Sequence, residues 1–224
     1  MKLIIIGASG HGRVVADIAK KCGYDDIVFL DNDPNISSCA GYPVVGRDDM
    51  VFHLEGDLFI AVGNGQVRKK LMERETTRIV CEATQRDCEA TLMEREDRKN
   101  FPVLIHPNAV VADDVEIGCG SVVMAGAVIN PGAKIGKGVI VNTSSSIDHD
   151  CVLGDYVHVS VGAHLAGTVT VGNNTWIGAG ATVSNNVYIC GGCMIGAGAV
   201  VIKDIVEEGT YVGVPAKIMS KHRL

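Results

Sequence analysis

From about residue 102 a branched aliphatic residue returns at every sixth position. The series runs Ile105, Val111, Ile117, Val123, Ile129, Ile135, Val141, Ile147, Leu153, Val159, Leu165, Val171, Ile177, Val183, Ile189, Ile195 and Val201, without a slip of frame. Two places before these stand mostly small or β-branched residues, among them Ser121, Ala127, Ala133, Ser145, Cys151, Ala163, Thr175, Ala181, Cys193 and Ala199. A helix repeats near 3.6 residues and a strand at 2, so neither a bundle nor ordinary hairpins can satisfy the pattern. A six-residue period predicts a parallel β-helix in which each hexad forms one flat side. The aliphatic points inward and stacks on its copy in the next coil, about 4.8 Å away. With three sides to a coil, residues 105–202 make about five and a half coils. Such a solenoid needs its ends covered. The residues before 102 are expected to cap one end and the Lys203–Leu224 tail the other.

The chain before the repeat obeys other rules. Lys2–Ile6 is an apolar run closed by glycines, and Val14, Val15, Ile18, Ala19 and Cys22 follow with helical spacing. Ile27–Leu30 and Leu58–Val62 are two further apolar runs, ending at Asp31 and Gly63. Strand, helix, strand and a later strand predict a parallel, Rossmann-like α/β unit. Residues 66–100 carry seventeen charged side chains, which predicts a solvated helix. That stretch contains two echoes, Cys81–Thr84 with Cys88–Thr91 and Leu71–Glu75 with Leu92–Glu96, to which no function attaches. The expected domains are therefore 1–101, a Rossmann-like unit; 102–206, the β-helix; and 207–224, a tail over the helix end.

Composition narrows the partners. A net charge of −6 argues against a nucleic-acid partner, because phosphate backbones select basic faces. No run approaches the ~20 apolar residues of a membrane span, and Met1-Lys2 leads directly into a strand rather than a signal peptide. Eight irregularly spaced cysteines suit buried thiols in a reducing cytoplasm better than a disulfide framework. A cytoplasmic protein is expected.

Two segments carry chemistry. Gly7-Ala8-Ser9-Gly10-His11-Gly12 joins the first strand to the first helix. Glycines there admit a close backbone approach, and the helix start offers free N–H groups to phosphate. Asp31 ends the second strand where an acidic residue contacts a ribose. The spacing G-x-x-G-x-G breaks the dinucleotide fingerprint, so a nucleotide or nucleotide sugar is expected rather than NAD. The second segment is Asn142–Cys151, with His149 between Asp148 and Asp150. Ile147 and Cys151 take inward positions, which leaves His149 at a corner, where flanking carboxylates orient it and keep it basic.

GASGHG, NTSSSIDHDC, HVSVGAHLAG and the terminal GVPAK together resemble the NeuD/PglD group of bacterial sugar O/N-acetyltransferases, whose hexapeptide repeats form left-handed β-helices. The resemblance is greatest to the branch acting on nucleotide-linked 4-amino-4,6-dideoxy sugars. It implies a homotrimer with sites between subunits, acetyl-CoA as co-substrate, no metal, and an acceptor whose nucleotide (UDP is expected) sits in the N-terminal unit. It implies His149 as general base with Asp150 beside it. Ser9, Gly10, His11, Asp31, Asn32, Gly63 and Asn64 match acceptor-binding positions, and His158, Gly167, Ala179 and Ala197 match the acetyl-CoA groove. Residues 72–100 depart from the family by their length and charge.

Other readings remain. O-acetylation of sialic acid or another surface sugar needs only a different acceptor atom. A serine acetyltransferase would carry an N-terminal helical domain. A γ-carbonic anhydrase would need three zinc histidines, for which His149, His158 and His164 are the candidates. A structural or sugar-sensing solenoid would need no His149 corner. Cys190-Gly191-Gly192-Cys193 spells CxxC, but Cys190 follows an inward residue and Cys193 takes an inward site, so their side chains are expected to diverge. Trp176 is expected to pack in the fold. Lys203, Lys217, Lys221 and Arg223 are expected to offer a positive patch to CoA phosphates.

Overall fold

The computed structural model describes residues 1–86 and 100–219, with side chains described for 1–77 and 100–219. Lys221, Arg223 and most of the echoed 81–96 stretch lie outside the described residues. The chain divides into two compact units, Met1–Pro102 and Val103–Leu224.

The first unit is built on β1 (Lys2–Ile6), α1 (Gly10–Lys21), β2 (Asp26–Leu30), β3 (Ser38–Cys39), β4 (Tyr42–Gly46), β5 (Asp57–Ile60) and α2 (Gly65–Arg86). The sheet order is β3-β4-β2-β1-β5, with β1, β2, β4 and β5 parallel. Leu3, Ile4 and Ile5 are wholly buried, as a parallel strand covered on both faces requires. α1 turns Val15, Ala16, Ile18 and Ala19 inward, and its last turn carries Lys20 and Lys21, which suit the negative end of the helix. β1 leads through α1 to β2 on one side, while β5, reached later in the chain, lies on its other side, so the strand order reverses beside β1. Such a switch point is where open parallel sheets bind ligands.

The second unit is the parallel β-helix that the repeat predicts. Three sheets of two-residue strands run along it, each strand paired with one eighteen residues on, as in Val128 with Ser146, Lys134 with Val152 and Ile140 with His158. From Val123 to Val201 every inward aliphatic of the series is buried. Burial of each such side chain contributes roughly 1.5–3 kcal/mol. Ile105, Val111 and Ile117 are less covered, because the first coil has a stacking neighbour on one side only. Corners turn through left-handed residues, among them Asp150, Thr168 and Asn186 at φ of 57°, 62° and 60°. At the far end Ile205 is buried and bridges to Ile189. Thr210–Val212 then adds a parallel rung on Met194–Ile195, and Lys217–Ile218 folds back antiparallel. The tail thus continues the stack past residue 206 and closes it.

Candidate active site

The short strand Ser146–Ile147 ends at a corner that throws out Asp148, His149 and Asp150. Ile147 is fully buried, so the next three side chains must leave the core. The Asp148 Oδ1 accepts the His149 amide at 2.8 Å and the Asn130 Nδ2 at 2.8 Å. Asn130 lies one coil earlier and holds this carboxylate below its ordinary range, its amide being the larger influence and the His149 N–H the next. His149 Nδ1 lies 2.8 Å from Asp150 Oδ2. An ionised carboxylate only accepts, so Nδ1 carries the proton and Nε2 keeps its lone pair. The Asp150 hydrogen bond first, and the Asp148 charge second, raise the His149 pKa above its usual value.

The coil above explains where the imidazole rests. A Cβ built on Gly167 would lie 2.5 Å from His149 Nε2, so only glycine leaves room for the ring. Thr168 donates its amide to the His149 carbonyl at 2.8 Å, and Asn186 donates to the Gly167 carbonyl at 3.0 Å, locking three successive corners in register. Asp148, His149, Ala166, Gly167, Thr168, Asn185 and Asn186 line a half-open cavity of about 270 Å³. Asn130, Asn185 and Asn186 were not singled out by sequence. Their signal was offset by whole coils, since Asn130 stands eighteen residues before Asp148 and Asn185 eighteen after Gly167.

The remaining expected groove residues stand elsewhere on the prism. His158 is buried on a different face, Nε2 at 3.2 Å from Asn142 Nδ2 and its ring stacked on Trp176 at 4.6 Å. Trp176 in turn donates to Ser160 Oγ at 2.7 Å. Ala179 and Ala197 are exposed and stack on one another, Gly198 N donating to Ala179 O at 2.8 Å. Their corner joins the His158 face to the His164 face, whereas His149 lies one corner further along the chain. His164 pairs with Ser146 Oγ at 2.8 Å. Among the described residues no group of three His, Cys, Asp or Glu side chains is placed to hold a metal ion.

In the first unit the expected acceptor residues gather at the carboxyl edge of the sheet. Asp31 Oδ2 accepts the Ala8 amide at 2.7 Å and its Oδ1 the Asp33 amide at 2.9 Å, so this carboxylate ties the β1–α1 turn to the end of β2. Asn32 Oδ1 receives the Asp48 amide at 3.4 Å. Gly12 packs so tightly on the turn that a Cβ would lie 2.1 Å from the Gly7 carbonyl oxygen. Ser9 starts α1 without using its hydroxyl as a cap, leaving that group and the Gly10 region exposed. His11 is pushed down to about 4 by burial and by the Arg68 charge, so it is neutral at ordinary pH. Arg68, itself buried, donates to the Val62 and Gly63 carbonyls at 2.7 and 3.0 Å and shapes the turn after β5. Asn64 caps α2 through Oδ1 and the Val67 amide at 3.1 Å.

Two thiol expectations have different outcomes. Cys151 points inward as the repeat predicts, its Sγ turned to the Ala166 carbonyl at 3.2 Å and its pKa raised by burial. The CxxC expectation is corrected. Cys190 and Cys193 do not diverge, because their sulfurs lie 3.4 Å apart.

Comparison with known proteins places this arrangement. Residues 2–74 match the family model of the PglD N-terminal domain, and residues 168–203 that of the bacterial transferase hexapeptide repeats. The chain is similar to the acetyltransferase domain of PglB from Neisseria gonorrhoeae, with 39% identity and a TM-score of 0.85 over 97% of this chain and 99% of that one. The same domain in complex with acetyl coenzyme A matches at 40% identity and a TM-score of 0.86, over 97% and 98%. A histidine variant of the perosamine N-acetyltransferase from Caulobacter crescentus, in complex with CoA and GDP-perosamine, matches at 33% identity and 0.86, over 99% and 98%. The chain belongs to the NeuD/PglD-like sugar acetyltransferases, enzymes that join a Rossmann-like unit to a left-handed β-helix. It is an acyltransferase. No described helix is long and apolar enough to cross a membrane.

Proposed function

We propose that this enzyme transfers the acetyl group of acetyl-CoA to the 4-amino group of a nucleotide-linked 4-amino-4,6-dideoxy sugar. The observation that carries the reading is the His149 imidazole, fixed by Asp150 at 2.8 Å with its free nitrogen over Gly167 at the edge of a cavity. Acetyl coenzyme A bound to the PglB domain and GDP-perosamine bound to the Caulobacter enzyme support the two substrates. UDP is the nucleotide we favour from the resemblance of the N-terminal motifs, and GDP, the nucleotide bound to the Caulobacter enzyme, is the alternative the test must separate from it.

The chemistry follows from the geometry. The neutral amine attacks the thioester carbonyl, and His149 Nε2 accepts the proton that the amine sheds as the tetrahedral intermediate forms. Collapse expels the CoA sulfur, which takes a proton back. No acyl-enzyme forms, in keeping with the inward, burial-raised Cys151 thiol. A donor at the developing oxyanion, from His158 or a backbone amide, lowers the barrier.

The site is completed by a second copy. His149 and the Ala179–Ala197 stack occupy different corners of one prism, so a groove using both needs two chains, and a threefold ring of prisms supplies three such grooves. Lys203 and Lys217 are both exposed on the tail and suit the CoA phosphates. The acceptor nucleotide is held by the turns carrying Ser9 to His11, Asp31 to Asn32, and Gly63 to Asn64.

The test is release of CoA thiol with UDP-, GDP- and dTDP-linked 4-amino-4,6-dideoxy sugars and with free sialic acid, with His149→Ala as control. Turnover with one amino sugar, lost in the variant, supports the reading and names the nucleotide. Turnover with sialic acid alone moves the reaction to oxygen and removes the role given to the first unit.

A further inference from the structure

Cys190 interrupts a column of glycines. Counting back by whole coils from it gives Gly172, Gly154, Gly136 and Gly118. A Cβ on Gly172 would lie 2.4 Å from the Gly191 amide nitrogen, and one on Gly154 would lie 2.8 Å from that of Asn173. In the interior of the stack the backbone of the next coil runs across this site and excludes any side chain. At Cys190 the eighteen-residue step gives way to a shorter one, for Ile205 bridges to Ile189 and accepts the Cys190 amide at 2.8 Å, and Glu207 passes over the corner in a different register. A side chain fits there, and it is a thiol.

The second thiol lies three residues further along the chain. Cys193 occupies the inward small site of the same corner and is buried, while Cys190 is half-buried. Gly191 and Gly192 make the turn between them, Gly192 at φ 77°, and the sulfurs meet at 3.4 Å. Cys193 Sγ also faces the Glu207 carbonyl at 3.7 Å, which the Tyr211 hydroxyl approaches at 2.9 Å. Burial first, and the neighbouring Cys190 second, push the Cys193 thiol up to about 12.

We propose that Cys190 and Cys193 form a reversible oxidation site, in which the two thiols of the terminal corner close to a disulfide by exchange with a low-molecular-weight disulfide. The Cys190 thiolate, on the more accessible side, attacks one sulfur of the oxidant and expels the other as a thiol. Cys193 then loses its proton and attacks the Cys190 sulfur, forming the protein S–S bond and expelling the second thiol. Two protein thiols and one small disulfide become one protein disulfide and two small thiols. The thiolate is the attacking species, so the high Cys193 pKa makes the second step the slow one and quickens it as pH rises. Closure also takes the Cys193 S–H away from the Glu207 carbonyl.

The experiment equilibrates the whole protein in glutathione buffers of increasing oxidised fraction, quenches with an alkylating agent, and maps peptides by mass. The expected result is loss of two hydrogens, a single peptide linking Cys190 to Cys193, and six of the eight cysteines alkylated. Cys193→Ser should instead accumulate glutathione on Cys190, and Cys190→Ser should give neither product. Failure of the wild-type pair to close in the most oxidised buffer overturns the proposal. So does a disulfide mapping to another pair. The wild-type measurement needs no variant to fold, and none of these readouts depends on the acceptor sugar.

Discussion

At the scale of residues the site rests on one side chain and the space left for it. Replacing His149 with Ala removes the proposed base and is expected to lower kcat about 10²–10⁴-fold while CoA binding persists. The pH profile tests its environment. In the proposed role His149 accepts a proton only when neutral, and its pKa is raised by Asp150 and then Asp148. The acidic limb of kcat/KM should therefore lie above the pH of an unperturbed histidine. Asp150→Asn takes away the larger influence and should shift that limb toward lower pH, with a fall in the plateau from lost orientation. Gly167→Ala would place a methyl group 2.5 Å from His149 Nε2 in its present position. The ring must move, and a displacement near 1 Å costs on the order of 10²-fold in rate. Its kcat should fall much more than its KM changes.

At the scale of elements, legibility followed period. The six-residue rule predicts each inward aliphatic from Val123 onward because nothing local competes with it along the stack. The corner position of His149 follows from the same counting, since Ile147 and Cys151 fix the two ends of the corner. The partners of His149 were harder to see. Asn130 reaches Asp148 from the preceding coil at 2.8 Å, and only pairing by whole coils would have joined them. Cys190 departs from the alternation expected along one corner because the next coil is shorter there, Ile205 rather than a residue eighteen positions on pairing with Ile189. In the first unit, Asp31 was legible as the end of a strand, but its grip on the Ala8 amide at 2.7 Å was not. Leu165→Ala should cost about 2–5 kcal/mol by leaving a cavity beneath Val183, read as a fall in denaturation midpoint. Because each coil meets only its neighbours, the loss should be largest in exchange protection of the adjoining coils.

At the scale of the whole molecule, the prediction concerns shared sites. Sedimentation should give an assembly of three 23.6 kDa chains. His149→Ala and an Ala197→Trp variant, each inactive alone, should recover activity when mixed and reassembled. Random mixing leaves about a quarter of the boundaries with both intact corners. Recovery of none would place the whole site within one chain.

The constant length of the coils turns the prism into a ruler. His149, Gly167 and Asn185 stand at successive heights, each about 4.8 Å above the last, and no loop of variable length intervenes. Distances between groups on one corner are therefore set in whole steps, and a single-residue insertion in a strand would rotate every later side chain out of its place. Change in such an enzyme has two routes. Residues can be exchanged at a fixed height, or length can be added where a corner bulges outward without disturbing the count.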